Sequence, residues 1–167
     1  MKIAVGVSHP LRYNTQKFRR KNMEGIKIIN INKTTGQYLI RLDCGVEVVS
    51  ALSLIVQKHK ILSGSITALG AVKDATLGWF HPDTKQYTKE TFPEPLELVG
   101  LTGNIAYMDN QPAIHIHAVL GGEKGKTYAG HLFSATVAVL VEVSILGGDV
   151  SIQRKKDTTF GLNFLDI

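Results

Sequence analysis

The stretch Pro112-Ala-Ile-His-Ile-His-Ala-Val-Leu120 decides how this chain is read, because its apolar residues alternate with histidine at positions 115 and 117. Successive side chains of a β-strand point to opposite faces, so His115 and His117 share one face while Ile114, Ile116 and Ala118 take the other. A glycine-rich loop, Gly121-Gly-Glu-Lys-Gly-Lys-Thr127, follows, and then a third histidine, His131. A hairpin turning about Glu123 sets position 131 opposite position 115 and brings all three imidazoles within cross-strand reach. A slip of one residue would send His131 to the reverse face.

Three neutral imidazoles facing one point are a metal site in prospect. Zn²⁺ binds imidazole nitrogen at about 2.0–2.1 Å, and a three-histidine set leaves a fourth position for water or substrate. His115, His117 and His131 are therefore the candidate zinc ligands, with iron or nickel also compatible with imidazole. The same rings could instead hydrogen-bond across a strand or a subunit contact, and the spacing leaves both readings open. Glu97 and Glu142 each interrupt an apolar strand. Each either orients a ligating imidazole, acts as a base, or points to solvent from a half-exposed strand. The loop 121–127 resembles a phosphate-binding loop but fails on spacing, since that pattern needs four residues between its first glycine and Gly-Lys-Thr.

Outward from this hairpin, strands dominate. Ile26–Ile31 and Gln37–Asp43 flank the turn-forming segment Asn32-Lys-Thr-Thr-Gly36 and read as a hairpin. After Gly45 the period changes: Val48, Leu52, Ile55 and Val56 recur at helical spacing, giving the one clear helix. Ile61–Ala75, punctuated by Gly64 and Gly70, reads as a bent or bulged strand. Leu77–Phe80 and Lys85–Thr91 read as arms around a turn at His81-Pro-Asp-Thr84. Leu96–Thr102 reads as a strand ending at Gly103-Asn104, Asp109–Pro112 as a turn, and valine-rich Val137–Ile145 as a strand. The fold class is α+β: a compact single domain around a mainly antiparallel sheet with one or two helices.

The chain has 167 residues, 44% of them apolar, which suffices for one core and argues against two domains. Its longest apolar run, Ala135–Leu146, falls short of the roughly 20 residues that span a bilayer, and the N-terminus lacks a secretory signal pattern. A soluble, cytoplasmic protein with no membrane partner is expected. The lone Cys44 excludes an intrachain disulfide and a cysteine-based zinc cage, and reads as a small apolar filler beside the helix start. The remaining histidines, His9, His59 and His81, read as surface residues. Net charge is +5, and four cations, Lys17, Arg19, Arg20 and Lys21, lie within five residues. That run is a candidate phosphate-contacting arm for DNA, or else a solvated N-terminal segment. Residues 1–25 are read as this basic arm and 26–167 as the domain. A second basic group, Arg154-Lys155-Lys156, is interrupted by Asp157.

Four pieces in order carry a resemblance: Ile66-Thr-Ala-Leu-Gly-Ala-Val-Lys-Asp-Ala-Thr-Leu-Gly78, Leu96-Glu-Leu-Val-Gly-Leu-Thr-Gly-Asn104, His115-Ile-His-Ala-Val-Leu-Gly121 and Gly130-His-Leu132. From about Lys27 to Ile152 the chain resembles the plants-and-prokaryotes-conserved (PPC) domain. The resemblance implies an α/β fold around an antiparallel sheet and a homotrimer. It also implies that His115, His117 and His131, which match the family's His-x-His and Gly-His-Leu pieces, can hold a metal as in prokaryotic members. In plants the domain follows an AT-hook whose Arg-Gly-Arg-Pro core enters the DNA minor groove. This chain lacks that core, and Glu94-Pro-Leu-Glu-Leu-Val99 stands where the plant domain has Gly-Arg-Phe-Glu-Ile-Leu.

Two functions follow as expectations. One is a trimeric DNA-binding protein using the basic arm, with avidity multiplying weak contacts. The other is a metal-dependent protein or enzyme acting on a small-molecule ligand at an open zinc position. A trimer in which metal only stiffens the fold is the third possibility, and whether the chain is an enzyme stays open.

Overall fold

Alternation of apolar and polar residues carries most of this chain into strands. The computed structural model describes residues 23–32 and 34–167, and among these it contains nine strands and one α-helix. The expected first hairpin is β1 (Ile26–Asn32) paired antiparallel with β2 (Gln37–Asp43). In β2 the side chains of Tyr38, Ile40 and Leu42 are buried and those between them are exposed, as a period of two demands.

The helix α1 (Val48–His59) buries Val48, Ala51, Leu52, Ile55 and Val56 along one stripe. It starts after Glu47, whose carboxylate accepts the N–H groups of Val49 and Ser50 at 3.0 and 2.7 Å, a cap that contributes about 1 kcal/mol. The same carboxylate accepts the Ala135 N–H at 3.3 Å, tying the helix start to a strand far away in sequence. Lys60, in the left-handed region at φ 53°, ends the helix, and Lys58 and His59 place positive or dipolar groups at its C-terminal turn.

The segment expected to be a bent strand plus a separate arm is one 19-residue strand, β3 (Ser63–His81). The expected bend is there: its register slips on both sides of Gly70. Gly70 has φ +149°, and a Cβ built on it would lie 2.2 Å from the Leu140 carbonyl oxygen, so no other residue fits. Strand β4 (Gln86–Phe92) folds back along the distal part of β3. Strand β5 (Leu96–Met108) does not end at Gly103-Asn104 but continues to a turn at Asp109 and Asn110, both at positive φ. It is followed by β6 (Gln111–Gly121) and the 22-residue β7 (Thr127–Gly148), which absorbs the apolar run 137–145. A C-terminal hairpin, β8 (Gln153–Lys156) and β9 (Asn163–Asp166), lies in a segment to which the sequence analysis assigned no element.

Strand β3 pairs with β5 and β7, and β6 pairs with the other edges of both, so these four strands close on themselves. One row of cross-strand partners, Ile40, Val143, Ala68, Leu101 and Ala118, is buried and packs in a single core with the apolar stripe of α1. Each wholly buried leucine, isoleucine or valine contributes about 1.5–3 kcal/mol. The adjacent row, Leu39, Ser144, Thr67, Thr102 and His117, is exposed. The result is a single domain, mostly β-sheet with one helix, and none of the described helices is long and apolar enough to cross a membrane. Cys44 is exposed rather than packed as filler, its thiol donating to the Ala138 carbonyl at 3.2 Å.

Candidate metal centre

The three histidines reach one point because two strands of one hairpin present them outward. His117 pairs with His131, not His115 with His131, so the turn is centred on Lys124 rather than Glu123. The correction moves the partner by two residues, which leaves every side chain on the face expected for it. A single 3-10 turn at Glu123–Gly125 with Lys124 at φ 57° makes this loop, and no phosphate cradle forms.

The Nε2 atoms of His115 and His117 lie 3.2 Å apart. One ligand nitrogen from each of the three residues falls within 4.8 Å of the others. A tetrahedral ion with bonds of about 2.0–2.1 Å separates its nitrogens by about 3.3 Å, so the 115–117 pair already stands at that spacing. The ring centroids are 5.1 to 5.5 Å apart. Nδ1 of His131 is buried without a hydrogen-bond partner, which costs about 1–3 kcal/mol if nothing offsets it. Three imidazoles, one of them with a buried nitrogen that lacks a partner, are the donor set a borderline cation takes. The residues fit a metal, and His115, His117 and His131 could hold one.

Surroundings disfavour protonation of two of the three rings. Burial first, then the charges of His115, His117, Lys89 and Arg154, lower the His131 pKa to about 4. Burial, Arg154 and His117 likewise lower that of His115. At physiological pH these two rings therefore stand in the unprotonated form that ligates. Phe133 and Tyr87 wall His131 at centroid distances of 4.8 and 5.6 Å, and Lys89 Nζ sits 3.7 Å over the Phe133 ring. A shallow recess of about 270 Å³, lined by Thr102, Gly103, Asn104, His115 and His117, opens beside the cluster.

Neither carboxylate considered from sequence joins the site. Glu97 and Glu142 are both exposed, the first opposite Gly121 and the second between Arg41 and Leu69. His81 is exposed on the β3–β4 hairpin, bonded to Thr88, while His59 is half-buried against Tyr38. Lys17, Arg19, Arg20, Lys21 and His9 lie outside the described residues. One residue at the site was missed. Arg154, read as part of a second basic group, donates from Nη2 to Asn104 Oδ1, and Asn104 is the cross-strand partner of His115. No local signal marks it, because 50 residues separate the two.

Comparisons with known proteins bear on this site. The sequence pattern of the Plants and Prokaryotes Conserved (PCC) domain matches residues 30–147. A solved structure from Bacteroides thetaiotaomicron, described as a candidate DNA-binding protein, is similar at 34% identity and TM-score 0.80, covering 85% of this chain and 97% of that one. A metal-containing protein from Archaeoglobus fulgidus is similar at 34% identity and TM-score 0.72, covering 77% and 91%. A plant- and prokaryote-conserved protein from Pyrococcus horikoshii is similar at 29% identity and TM-score 0.73, covering 78% and 91%. None of the curated proteins matches the chain.

Proposed function

The chain belongs to the Plants and Prokaryotes Conserved domain family, and from that premise we propose that it is a cytoplasmic, homotrimeric metal-binding protein whose zinc, held by His115, His117 and His131, serves a small-molecule ligand. The observation that carries this reading is the convergence of three ligand nitrogens within 4.8 Å, one residue of the three having a buried Nδ1 with no partner. The A. fulgidus relative's description as a metal-containing protein supports it. A zinc ion at such a site supplies Lewis acidity. The chain's own contribution is to bring three imidazoles together, and to leave the recess over Thr102 and Asn104 open beside them. Elemental analysis of the purified protein tests it. About one divalent transition metal per chain is expected, and protein prepared without chelator that carries none ends the reading.

The trimer is supported by the exposed face that carries the histidines. Leu69, Val99 and Leu146 stand 55%, 64% and 55% exposed there or at its edge, apolar side chains that association with further copies would take out of water. Light scattering is expected to give three times the chain mass, and Leu69→Asp a smaller species. A monomer at micromolar concentration in the unsubstituted protein would count against it.

A second reading, DNA binding, is favoured by the description of the B. thetaiotaomicron relative and by the cations Lys17, Arg19, Arg20 and Lys21 in the proposed arm, residues 1–25. Contacts of that kind neutralise phosphates and release counterions, so affinity is expected to fall steeply with salt and to show little base preference. A mobility-shift titration at physiological salt should show a complex that Arg19→Ala/Arg20→Ala weakens. Absence of any shift at micromolar protein removes this reading.

A further inference from the structure

The C-terminal hairpin β8–β9 lies beyond residues 30–147, the segment that matches the family, yet it delivers a cation to the imidazole site. The hairpin is docked through the Tyr107 N–H, which donates to the Ile152 carbonyl at 2.8 Å. Arg154 is half-buried there. Its Nε donates to the Ala113 carbonyl at 3.4 Å, its Nη1 to the Asn163 carbonyl at 2.9 Å, and its Nη2 to Asn104 Oδ1. Five N–H groups are available on a guanidinium, so one on Nη1 and one on Nη2 remain. All three acceptors are neutral. The ion pairs among the described residues join Lys27 and Arg41 to Asp43, and none involves Arg154.

A guanidinium taken partly out of water gains from a carboxylate beside it, because burial of an uncompensated charge is costly. Here its three partners are the neutral oxygens of Ala113, Asn163 and Asn104. Arg154 also fixes the amide of Asn104. A guanidinium only donates, so the Asn104 atom facing it is the oxygen, and the amide nitrogen is left as a donor elsewhere on a residue that lines the recess. Thr102, exposed opposite His117, adds a hydroxyl to the same lining.

We propose that Arg154, with Asn104 and Thr102, makes the recess beside His115 and His117 a binding site for a small molecule bearing a carboxylate. Arg154 adjoins the recess through its bond to Asn104, and no lysine is among the lining residues; one positive charge at that edge matches a singly charged carboxylate better than a phosphate dianion. The proposal deepens the reading of the site as one that serves a small molecule, and it rests on that reading for the zinc-loaded protein.

The test is an NMR titration of the full chain, both metal-free and zinc-loaded, with propanoate, with neutral propanamide of the same shape, and with inorganic phosphate. Propanoate is expected to shift the Gly103 backbone amide saturably, in both forms and as the readout for every variant, and in the parent protein the Asn104 side-chain amide with it. Arg154→Gln is expected to weaken binding by at least about tenfold, the loss of a charge-assisted hydrogen-bonding partner, while keeping the zinc content. Should Arg154→Gln fail to fold, Asn104→Asp provides an independent arm, because it seats a carboxylate against Arg154 and should abolish propanoate binding with the hairpin still docked. Propanamide binding as well as propanoate, phosphate binding more tightly, or a folded variant binding propanoate like the parent protein would overturn the proposal. Zinc failing to bind would overturn the metal reading alone, since the metal-free titration still decides the role of Arg154.

Discussion

Replacing His131 by leucine is expected to strip the metal from the protein while leaving the metal-free fold at least as stable. His131 supplies one of three ligand nitrogens, and loss of an outer-sphere partner alone weakens metal sites by about 10–100-fold, so removing a ligand exceeds that. The stability term runs the other way. His131 Nδ1 is buried with no partner, and burial is the largest cause of that ring's low pKa. Leucine removes the unsatisfied atom and keeps apolar contact with Phe133 and Tyr87, which flank the ring at 4.8 and 5.6 Å. A gain of up to about 1–3 kcal/mol in the metal-free state is the scale of an orphaned polar group. Metal content by elemental analysis and thermal midpoints with and without chelator check both halves. Stoichiometric zinc in His131→Leu would eliminate the three-histidine assignment. A midpoint well below that of the chelated parent would show that the buried nitrogen carries no penalty.

The second large effect is steric. A Cβ on Gly103 would lie 2.2 Å from the His115 carbonyl oxygen, 2.4 Å from Ile116 Cγ2 and 2.9 Å from Ile116 Cα. Two of these atoms are backbone of the paired strand β6, so Gly103→Ala must push β5 and β6 apart at the residues that aim His115 and His117. A cost of about 3 kcal/mol or more is expected, at the upper end of overpacking, with a fall in melting temperature of roughly 10 °C and loss of metal stoichiometry. Gly100, three residues earlier on the same strand, is the control, since a Cβ there meets nothing within 4 Å. If Gly103→Ala melts with Gly100→Ala, the close approach of the two strands is not what requires glycine.

Why the site was legible and the arginine was not follows from range. His115 and His117 sit in one strand and His131 in the next, joined by a loop of local turn residues, so period-two alternation predicts their common face without any knowledge of the rest. The error in register was even, and an even error conserves the face. The helix was equally local, a 3.6-residue stripe, although its capping by Glu47 was not read and the third bond of that carboxylate, to Ala135, spans 88 residues. Glu97 and Glu142 show the converse: a charge in an apolar strand pattern signals a partner or solvent, and only the exposed row on the outer face of the sheet chooses solvent for both.

What the sequence determined by itself is the character of each short segment: which strands alternate, where α1 lies, that the strand holding Gly70 bends, and that three imidazoles share a face. These depend on neighbours a few residues apart. The tertiary structure alone decided that four strands close on one another, that β5 runs on past Gly103, and that Arg154 stands against Asn104 beside His115. Each of these joins groups tens of residues apart, and such contacts form only when strand pairing and core burial across the whole domain outweigh the chain entropy lost in bringing them together.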